Sequence, residues 1–308
     1  MQDFYTIDDV RTGALPPVAK LGVVGNPIAH SLSPHMQQAA LDADRRGITY
    51  IRLLCERTPG AFAELMHALR RAGFRGVNVT VPFKRDAYEL ADERDSLSES
   101  CGAANTLFFG EGKTLCWNTD GPGFARAIYE LSHLPLSEHK IVLLGACGGA
   151  GSALAVQCAQ AGCLQLTLVN RPRPELEQLE VSLKTYEKKE NGILALRFDE
   201  ERLATRLRDA TLIVNATSVG LRASDDLLPI PADILDKKQY VYDIITHETP
   251  LVREAQKRGC TAANGRRMLL WQGVYAYENW FGDETFTSAR QESLAEKMYA
   301  AMLSAANA

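Results

Sequence analysis

The chain has no C-x-x-C pair and no H-E-x-x-H, and its six histidines fall into no other ligand spacing, so a resident metal is not expected. It also lacks any Lys/Arg-rich run. With a formal net charge of -4, that absence argues against nucleic acid or an anionic membrane surface as a partner. No apolar stretch approaches membrane-spanning length, and Met1 to Val10 mixes acidic and aromatic residues with neither a basic start nor an apolar core. A membrane span and a secretory signal are therefore not expected. The seven cysteines are odd in number and widely scattered, a pattern of reduced, mostly buried thiols in a reducing compartment. These absences together predict a cytoplasmic protein that binds small molecules. They leave open whether it is a monomer or a homodimer.

What is present is a long α/β alternation. The 308 residues, 46% hydrophobic and 23% charged, suffice for two globular domains. In the first half, periodicity predicts strands at 20–25, 50–55 and 77–81 and helices at 34–46 and 59–72, which is a β-α-β-α-β series and a mostly parallel sheet. A hairpin follows, with strands at 107–109 and 115–117 around a turn at 110–113. A helix at 124–132 leads into a second alternating series, with strands at 141–144, 166–169, 194–198, 211–215 and 240–244 and a helix at 152–161. That half reads as a Rossmann-like nucleotide-binding domain. Helices at 268–280 and 288–303 close the chain. The expected division is 1–121, completed by the helices from about 268–308, and 122–267.

Two short segments carry the chemistry. Asn78-Val79-Thr80-Val81-Pro82-Phe83-Lys84 alternates apolar and hydrogen-bonding residues, which predicts a half-buried strand that breaks at Pro82 and releases Lys84 into a loop. Asn118-Thr119-Asp120-Gly121 ends the hairpin in the same way. A lysine on a cleft wall has the flexible stem and movable pKa of a general acid or base, and an aspartate beside it would hold its ammonium. A surface lysine and a helix-capping aspartate would give the same letters.

The turn Gly145-Ala146-Cys147-Gly148-Gly149-Ala150-Gly151 lies between a strand and a helix, where backbone N–H groups and the helix dipole favour a pyrophosphate. It is not the usual G-x-G-x-x-G, and glycines in a tight turn need no ligand. The next strand ends in Asn170-Arg171-Pro172-Arg173. An acidic residue there binds the ribose 2′-hydroxyl of NAD, whereas arginine accommodates the 2′-phosphate of NADP. Arg171 and Arg173 thus favour NADP, with NAD still open through Glu175. Near the N-terminus, Ser31 and Ser33 stand two apart before Pro34, placed to donate to a carboxylate. Ser33 reads equally as an N-cap.

These segments, with Gly102-Ala103-Ala104-Asn105-Thr106, Asn215-Ala216-Thr217-Ser218-Val219-Gly220 and Met268-Leu269-Leu270-Trp271-Gln272-Gly273, occur in the order of the shikimate dehydrogenase family, which also contains quinate/shikimate dehydrogenases. The chain resembles that family over nearly its whole length. The resemblance implies NADPH-dependent, reversible reduction of 3-dehydroshikimate to shikimate, a step toward chorismate and the aromatic amino acids. It further implies that Ser31 and Ser33 bind the substrate carboxylate, that Thr80, Asn105 and Gln272 bind ring hydroxyls, and that Lys84 and Asp120 serve the reacting carbon. On the cofactor side it implies Gly145, Gly148, Gly149, Ala150, Asn170, Arg171, Arg173, Thr217 and Gly265.

The chain departs from the family in three places. Its glycine turn is one residue longer than the usual Gly-Ala-Gly-Gly-Ala, at Cys147. Thr246-His247-Glu248-Thr249-Pro250 replaces a Tyr-Asn-Pro segment about two residues longer, whose tyrosine borders substrate and nicotinamide. Gln37-Gln38 stands where His-Asn is frequent. The second departure alters the pocket wall, so quinate or another cyclic hydroxy acid is an alternative substrate. A non-catalytic ligand sensor is the remaining alternative.

Overall fold

The computed structural model describes residues 3–187, 192–222, 224–283 and 286–306. The chain divides into two compact units, Met1–Thr119 with Leu270–Ala308, and Asp120–Leu269.

Unit 1 contains α1 (Ile7–Thr12), β1 (Ala19–Gly25), α2 (Ser33–Ala43), β2 (Thr49–Leu54), α3 (Ala61–Arg71), β3 (Gly76–Val79), α4 (Lys84–Leu90), β4 (Glu93–Arg94), α5 (Ser96–Cys101), β5 (Thr106–Phe109) and β6 (Thr114–Trp117). Its six-stranded sheet has the order β2-β1-β3-β5-β6-β4. β1 runs parallel to both β2 and β3, while β5 is antiparallel to β3 and β6. α3 shows why these residues are helical. Phe62, Leu65, Met66 and Leu69 recur at three- and four-residue spacing, and that stripe is the buried face. Phe62 stacks on Phe83 with ring centroids 5.4 Å apart, which joins α3 to the segment after β3.

Unit 2 begins with α6 (Asp120–Ser132), four residues earlier than the periodicity predicts, and continues through β7 (Lys140–Leu144), α7 (Gly151–Gln160), β8 (Gln165–Asn170), α8 (Pro174–Leu183), β9 (Gly192–Arg197), α9 (Glu201–Asp209), β10 (Leu212–Asn215), β11 (Tyr240–Asp243), α10 (Pro250–Lys257) and β12 (Thr261–Ala263). Its sheet is parallel throughout, in the order β12-β11-β10-β7-β8-β9. This is the doubly wound dinucleotide-binding order, with the strand sequence reversing direction between β7 and β10. Ile141, Val142, Leu143 and Leu144 are all buried, as a strand covered by helices on both faces requires.

The chain then enters α11 (Arg266–Phe281), whose residues from Leu270 onward belong to unit 1, and ends in α12 (Ser288–Ala306). Within unit 1, Gly273 of α11 lies against α2. A Cβ there would stand 2.3 Å from Met36 Cε, and Gln37 Nε2 donates to the Gly273 carbonyl at 2.9 Å. Trp280 Nε1 donates to the Leu107 carbonyl at 2.9 Å. Asp44, just past α2, accepts from the Tyr277 hydroxyl at 2.6 Å and from Arg290 at 2.8 Å, so one carboxylate gathers α2, α11 and α12. Burial acts to raise the Asp44 carboxyl, but the bonds from Tyr277 and Arg290 and the charges of Arg290 and Arg46 outweigh it and hold the group below its ordinary value of 3.8. The folded pKa is depressed, so the stabilisation is complete above the unfolded value and is lost as pH falls through the folded one. Asp44→Asn is expected to lower unfolding stability by about 1–3 kcal/mol at pH 7, the worth of hydrogen bonds to a charged group. Urea titrations of both proteins check this, and their difference should shrink below about pH 4.

Among the described residues no helix is long and apolar enough to cross a membrane, and no group of three or more His, Cys, Asp or Glu side chains is arranged to hold a metal. All seven cysteines are free thiols.

Candidate active site

In unit 1 the candidate substrate residues collect at the end of the sheet where the parallel strands β1 and β3 both terminate. Thr80 N–H donates to the Val24 carbonyl at 2.9 Å and Asn26 N–H to the Val81 carbonyl at 3.0 Å, so the two loops leave the sheet together. Gly25 permits this approach, since a Cβ would fall 2.5 Å from Thr80 Cγ2. Arg52 of β2 then grips the first loop, donating to the Ser31 carbonyl from Nε at 3.2 Å and from a terminal nitrogen at 2.8 Å. Arg52 carries no sequence signal, since a single charged residue in a strand forms no motif.

Three expectations change here. Ser33 is the first residue of α2, and Leu32 occupies the cap position. The segment is a turn, with Ser33 N–H donating to Ser31 Oγ at 3.3 Å. β3 is buried along its whole length and ends at Val79. Asn78 does not face the site. Its side chain accepts from the Tyr50 hydroxyl at 2.8 Å and donates to Thr106 Oγ1 at 3.1 Å and to the Asn105 carbonyl at 3.3 Å. Lys84 is not in a loop but opens α4. A cation in the first turn runs against the helix dipole, so the helix gains nothing from it there.

Asn105 is the hub of this region. Its backbone carbonyl accepts from Val79 N–H at 2.8 Å, one residue before Thr80, and its Nδ2 donates to Gln272 Oε1 at 3.2 Å. Its Oδ1 accepts from the backbone N–H and hydroxyl of Thr119 at 2.8 and 3.1 Å. Ala104 N–H donates to the Lys84 carbonyl at 2.8 Å. Within unit 1, Asn105 is thus bonded directly to Gln272, and backbone bonds of Val79 and Ala104 hold it beside the segments that carry Thr80 and Lys84. Asp120, buried at the start of α6, follows Thr119 directly in unit 2.

In unit 2 the glycine turn leaves β7 at the point where the strand order reverses. Gly145 has φ +83°, a conformation that favours glycine, and its N–H donates to the Val169 carbonyl at 2.7 Å. A Cβ on Gly145 would lie 2.6 Å from the Ala216 carbonyl oxygen, and one on Gly151 would lie 2.1 Å from the Gly145 carbonyl oxygen. Gly145 thus makes the tight turn and Gly151 brings α7 close to the strand, which fixes the register. The added residue falls between Gly145 and Gly148. Gly149, by contrast, has open space around its Cβ direction, with no atom within 4 Å. A turn whose middle glycine faces free space at a helix N-terminus fits a pyrophosphate. The longer turn hides the register of Gly151 in the sequence, where its packing role carries no separate signal.

Asn170 ends β8, while Arg171 and Arg173 are exposed beyond it. Glu175 is paired to Arg173 at 3.3 Å, so the arginine takes up the one carboxylate that stood for NAD. Thr217 is folded onto Asn215, and Gly265 packs where a Cβ would lie 2.0 Å from the Ile244 carbonyl oxygen. The packing alone requires a glycine at 265.

Residues 23–107 match the family model of the shikimate dehydrogenase substrate binding domain. The shikimate dehydrogenase (NADP(+)) of Methanopyrus kandleri is 36% identical over 281 residues, spanning 90% of this chain and 95% of that protein. The chain belongs to the shikimate dehydrogenase family. Solved structures of family members agree. A shikimate dehydrogenase in complex with NADP+ superposes with a TM-score of 0.78 at 30% identity, covering 93% of this chain and 95% of that one. The shikimate 5-dehydrogenase of Thermus thermophilus, in complex with NADP(H) and shikimate, gives 0.76 at 31% identity over 93% and 99%. The two-unit α/β architecture with a Rossmann-like sheet is thus the family architecture.

Proposed function

We propose that this protein is an NADP-dependent shikimate dehydrogenase that reversibly reduces 3-dehydroshikimate to shikimate. The observation that carries the reading is the placing of Thr80, Lys84, Asn105 and Gln272 at one end of the unit 1 sheet, with Asn105 bonded to Gln272, in a chain 36% identical over 281 residues to a curated shikimate dehydrogenase. NADPH, when bound, supplies the hydride that reduces the ketone carbon. The chain's part is to orient the ring and to handle the proton. Ser31 and Ser33 take the carboxylate through hydroxyl and backbone donors on the loop that Arg52 holds. Thr80, Asn105 and Gln272 take the ring hydroxyls, a role for which the Thr80 hydroxyl has no bond among the described residues. Lys84 gives a proton to the oxygen that becomes the new hydroxyl and withdraws it in the reverse direction, with Asp120 as its acidic counterpart. Unit 1 is the substrate-binding domain and unit 2 the NADP-binding domain, with Gly145, Gly148, Gly149 and Ala150 around the pyrophosphate and Arg171 and Arg173 at the 2′-phosphate.

Steady-state kinetics with shikimate and quinate against NADP and NAD test this reading. Shikimate with NADP should give the highest kcat/KM. Arg171→Ala with Arg173→Ala should raise the KM for NADP about tenfold or more, the equivalent of one charged hydrogen bond, and leave NAD nearly unchanged. A native preference for NAD would overturn the cofactor assignment. No turnover with any pairing would favour a ligand sensor.

A quinate-type substrate is the second reading, favoured by the shortened Thr246–Thr249 segment. Its conformation is well fixed, since Arg266 Nε donates to the Thr246 carbonyl at 2.9 Å and His247 Nε2 lies 2.9 Å from the Gly220 carbonyl oxygen. Higher kcat/KM with quinate than with shikimate would select it.

A further inference from the structure

The second half of the unit 2 sheet holds a buried polar network that the reaction does not explain. Asp243, at the end of β11, has no exposed surface. Its Oδ2 accepts from Asn215 Nδ2 at 2.9 Å and from the Thr249 hydroxyl at 2.8 Å, and its Oδ1 accepts from the Ile245 backbone N–H at 3.0 Å. Asn215, at the end of the neighbouring β10, turns its Oδ1 the other way. There it accepts from the Thr217 hydroxyl at 2.7 Å and the Thr217 N–H at 3.1 Å. Thr217 Oγ1 in turn accepts from Val219 N–H at 3.1 Å.

Two loops are joined by these bonds. One follows β10 and runs to Gly220; the other follows β11 and runs to Thr249. They meet again where His247 Nε2 donates to the Gly220 carbonyl, and where Gly220, at φ +88°, lies so close to Thr249 that a Cβ would stand 3.3 Å from the threonine Cβ.

Burial pushes the Asp243 carboxyl up, against the opposing pull of the donors from Asn215, Ile245 and Thr249. A buried charged group of this kind adds little stability over apolar packing, because desolvation offsets the attraction, whereas it does fix geometry through directional bonds. The loops it fixes leave the carboxyl ends of β10 and β11, in the second mononucleotide-binding half of the sheet. The glycine turn belongs to the first half.

We propose that Asp243 is a positioning residue for the nicotinamide half of the cofactor, holding the Thr217–Gly220 and Thr246–Thr249 loops as one wall. The inference rests on the reading of this protein as an NADP-dependent dehydrogenase. It assigns Asp243 no contact with the reacting atoms, and it makes the shortened loop and the Asn215 loop a single element.

Calorimetric titration of NADP+ and of adenosine 2′,5′-bisphosphate, which lacks the nicotinamide half, separates this role from a merely structural one. In Asp243→Asn an amide NH2 replaces one oxygen and faces donors. Its Kd for NADP+ should rise about tenfold or more, the equivalent of one lost charged hydrogen bond, while that for the bisphosphate stays within about twofold. Thr249→Val, which keeps the carboxyl and removes one donor, should show the same split, and Thr249→Ser should restore wild-type binding. This second pair carries the test if Asp243→Asn does not fold. Equal weakening of both ligands, or no change in either, overturns the proposal. Failure of the wild-type protein to bind NADP+ would instead overturn the cofactor reading itself.

Discussion

Lys84→Ala is expected to lower turnover of shikimate by about 10²–10⁴-fold, the usual worth of a positioned general acid or base. Binding of NADP+ and the unfolding midpoint should stay near wild type. The side chain is only partly buried, whereas the packing of α4 rests on its neighbours Phe83 and Ala87, which the substitution leaves in place. The bond from Ala104 N–H goes to the Lys84 backbone carbonyl and survives the truncation. Lys84→Arg should not rescue, because a guanidinium keeps its proton across the working pH range. Single-turnover hydride transfer, followed by absorbance of the reduced nicotinamide, reads the effect directly. Turnover within a few fold of wild type in Lys84→Ala would remove this lysine from the reaction.

The glycine turn gives the second large effect, and two of its glycines should behave in opposite ways. Gly151→Ala places a methyl carbon 2.1 Å from the Gly145 carbonyl oxygen and 3.1 Å from the Ala146 carbonyl carbon, both backbone atoms that cannot step aside. The expected loss of stability is at or above the upper end of the range of about 1–3 kcal/mol for overpacking, read as a fall in the urea midpoint. Gly149→Ala meets no atom within 4 Å. Its stability should stay within about 0.5 kcal/mol of wild type. With the pyrophosphate at this turn, as proposed, the added methyl would fill the space in front of the backbone, so affinity for NADP+ should drop about tenfold or more, comparable with a lost charged hydrogen bond. Unchanged affinity in Gly149→Ala would move the pyrophosphate away from this turn.

Much of the fold is legible in the letters because its strands are apolar runs and its helices are striped. β7 and α3 are examples, one buried on both faces and the other on one. Short elements were not legible. α4 and β4 lie in a stretch where seven and two residues carry too few turns or pleats to show a period, and β12 has only three. With no visible period in α4, the sequence predicts a loop at Lys84. Alternation at Val77, Val79 and Val81 suggested a half-exposed strand, yet β3 lies between β1 and β5, and Asn78 satisfies its polar groups inside the core through Tyr50 and Thr106. A buried asparagine with every group bonded and one facing a ligand are the same letter in a sequence. For the candidate site, serine, threonine and asparagine were picked out by motif. What holds the Ser31 loop is not legible, because Arg52 acts on a backbone carbonyl twenty-one residues away, and such a contact leaves no spacing to read.

Unit 1 is built from chain on both sides of unit 2, and its sheet is sealed by Trp280, which bonds to the Leu107 carbonyl and occupies the space beside Gly76. The consequence is one of timing. A ribosome delivers all of residues 120–269, a self-contained parallel sheet with its helices, before it delivers the tryptophan that completes the first sheet. The segment made first is therefore finished last, and nascent residues 1–119 must wait with the Trp280 side of Gly76 and Leu107 uncovered until the C-terminal helices emerge.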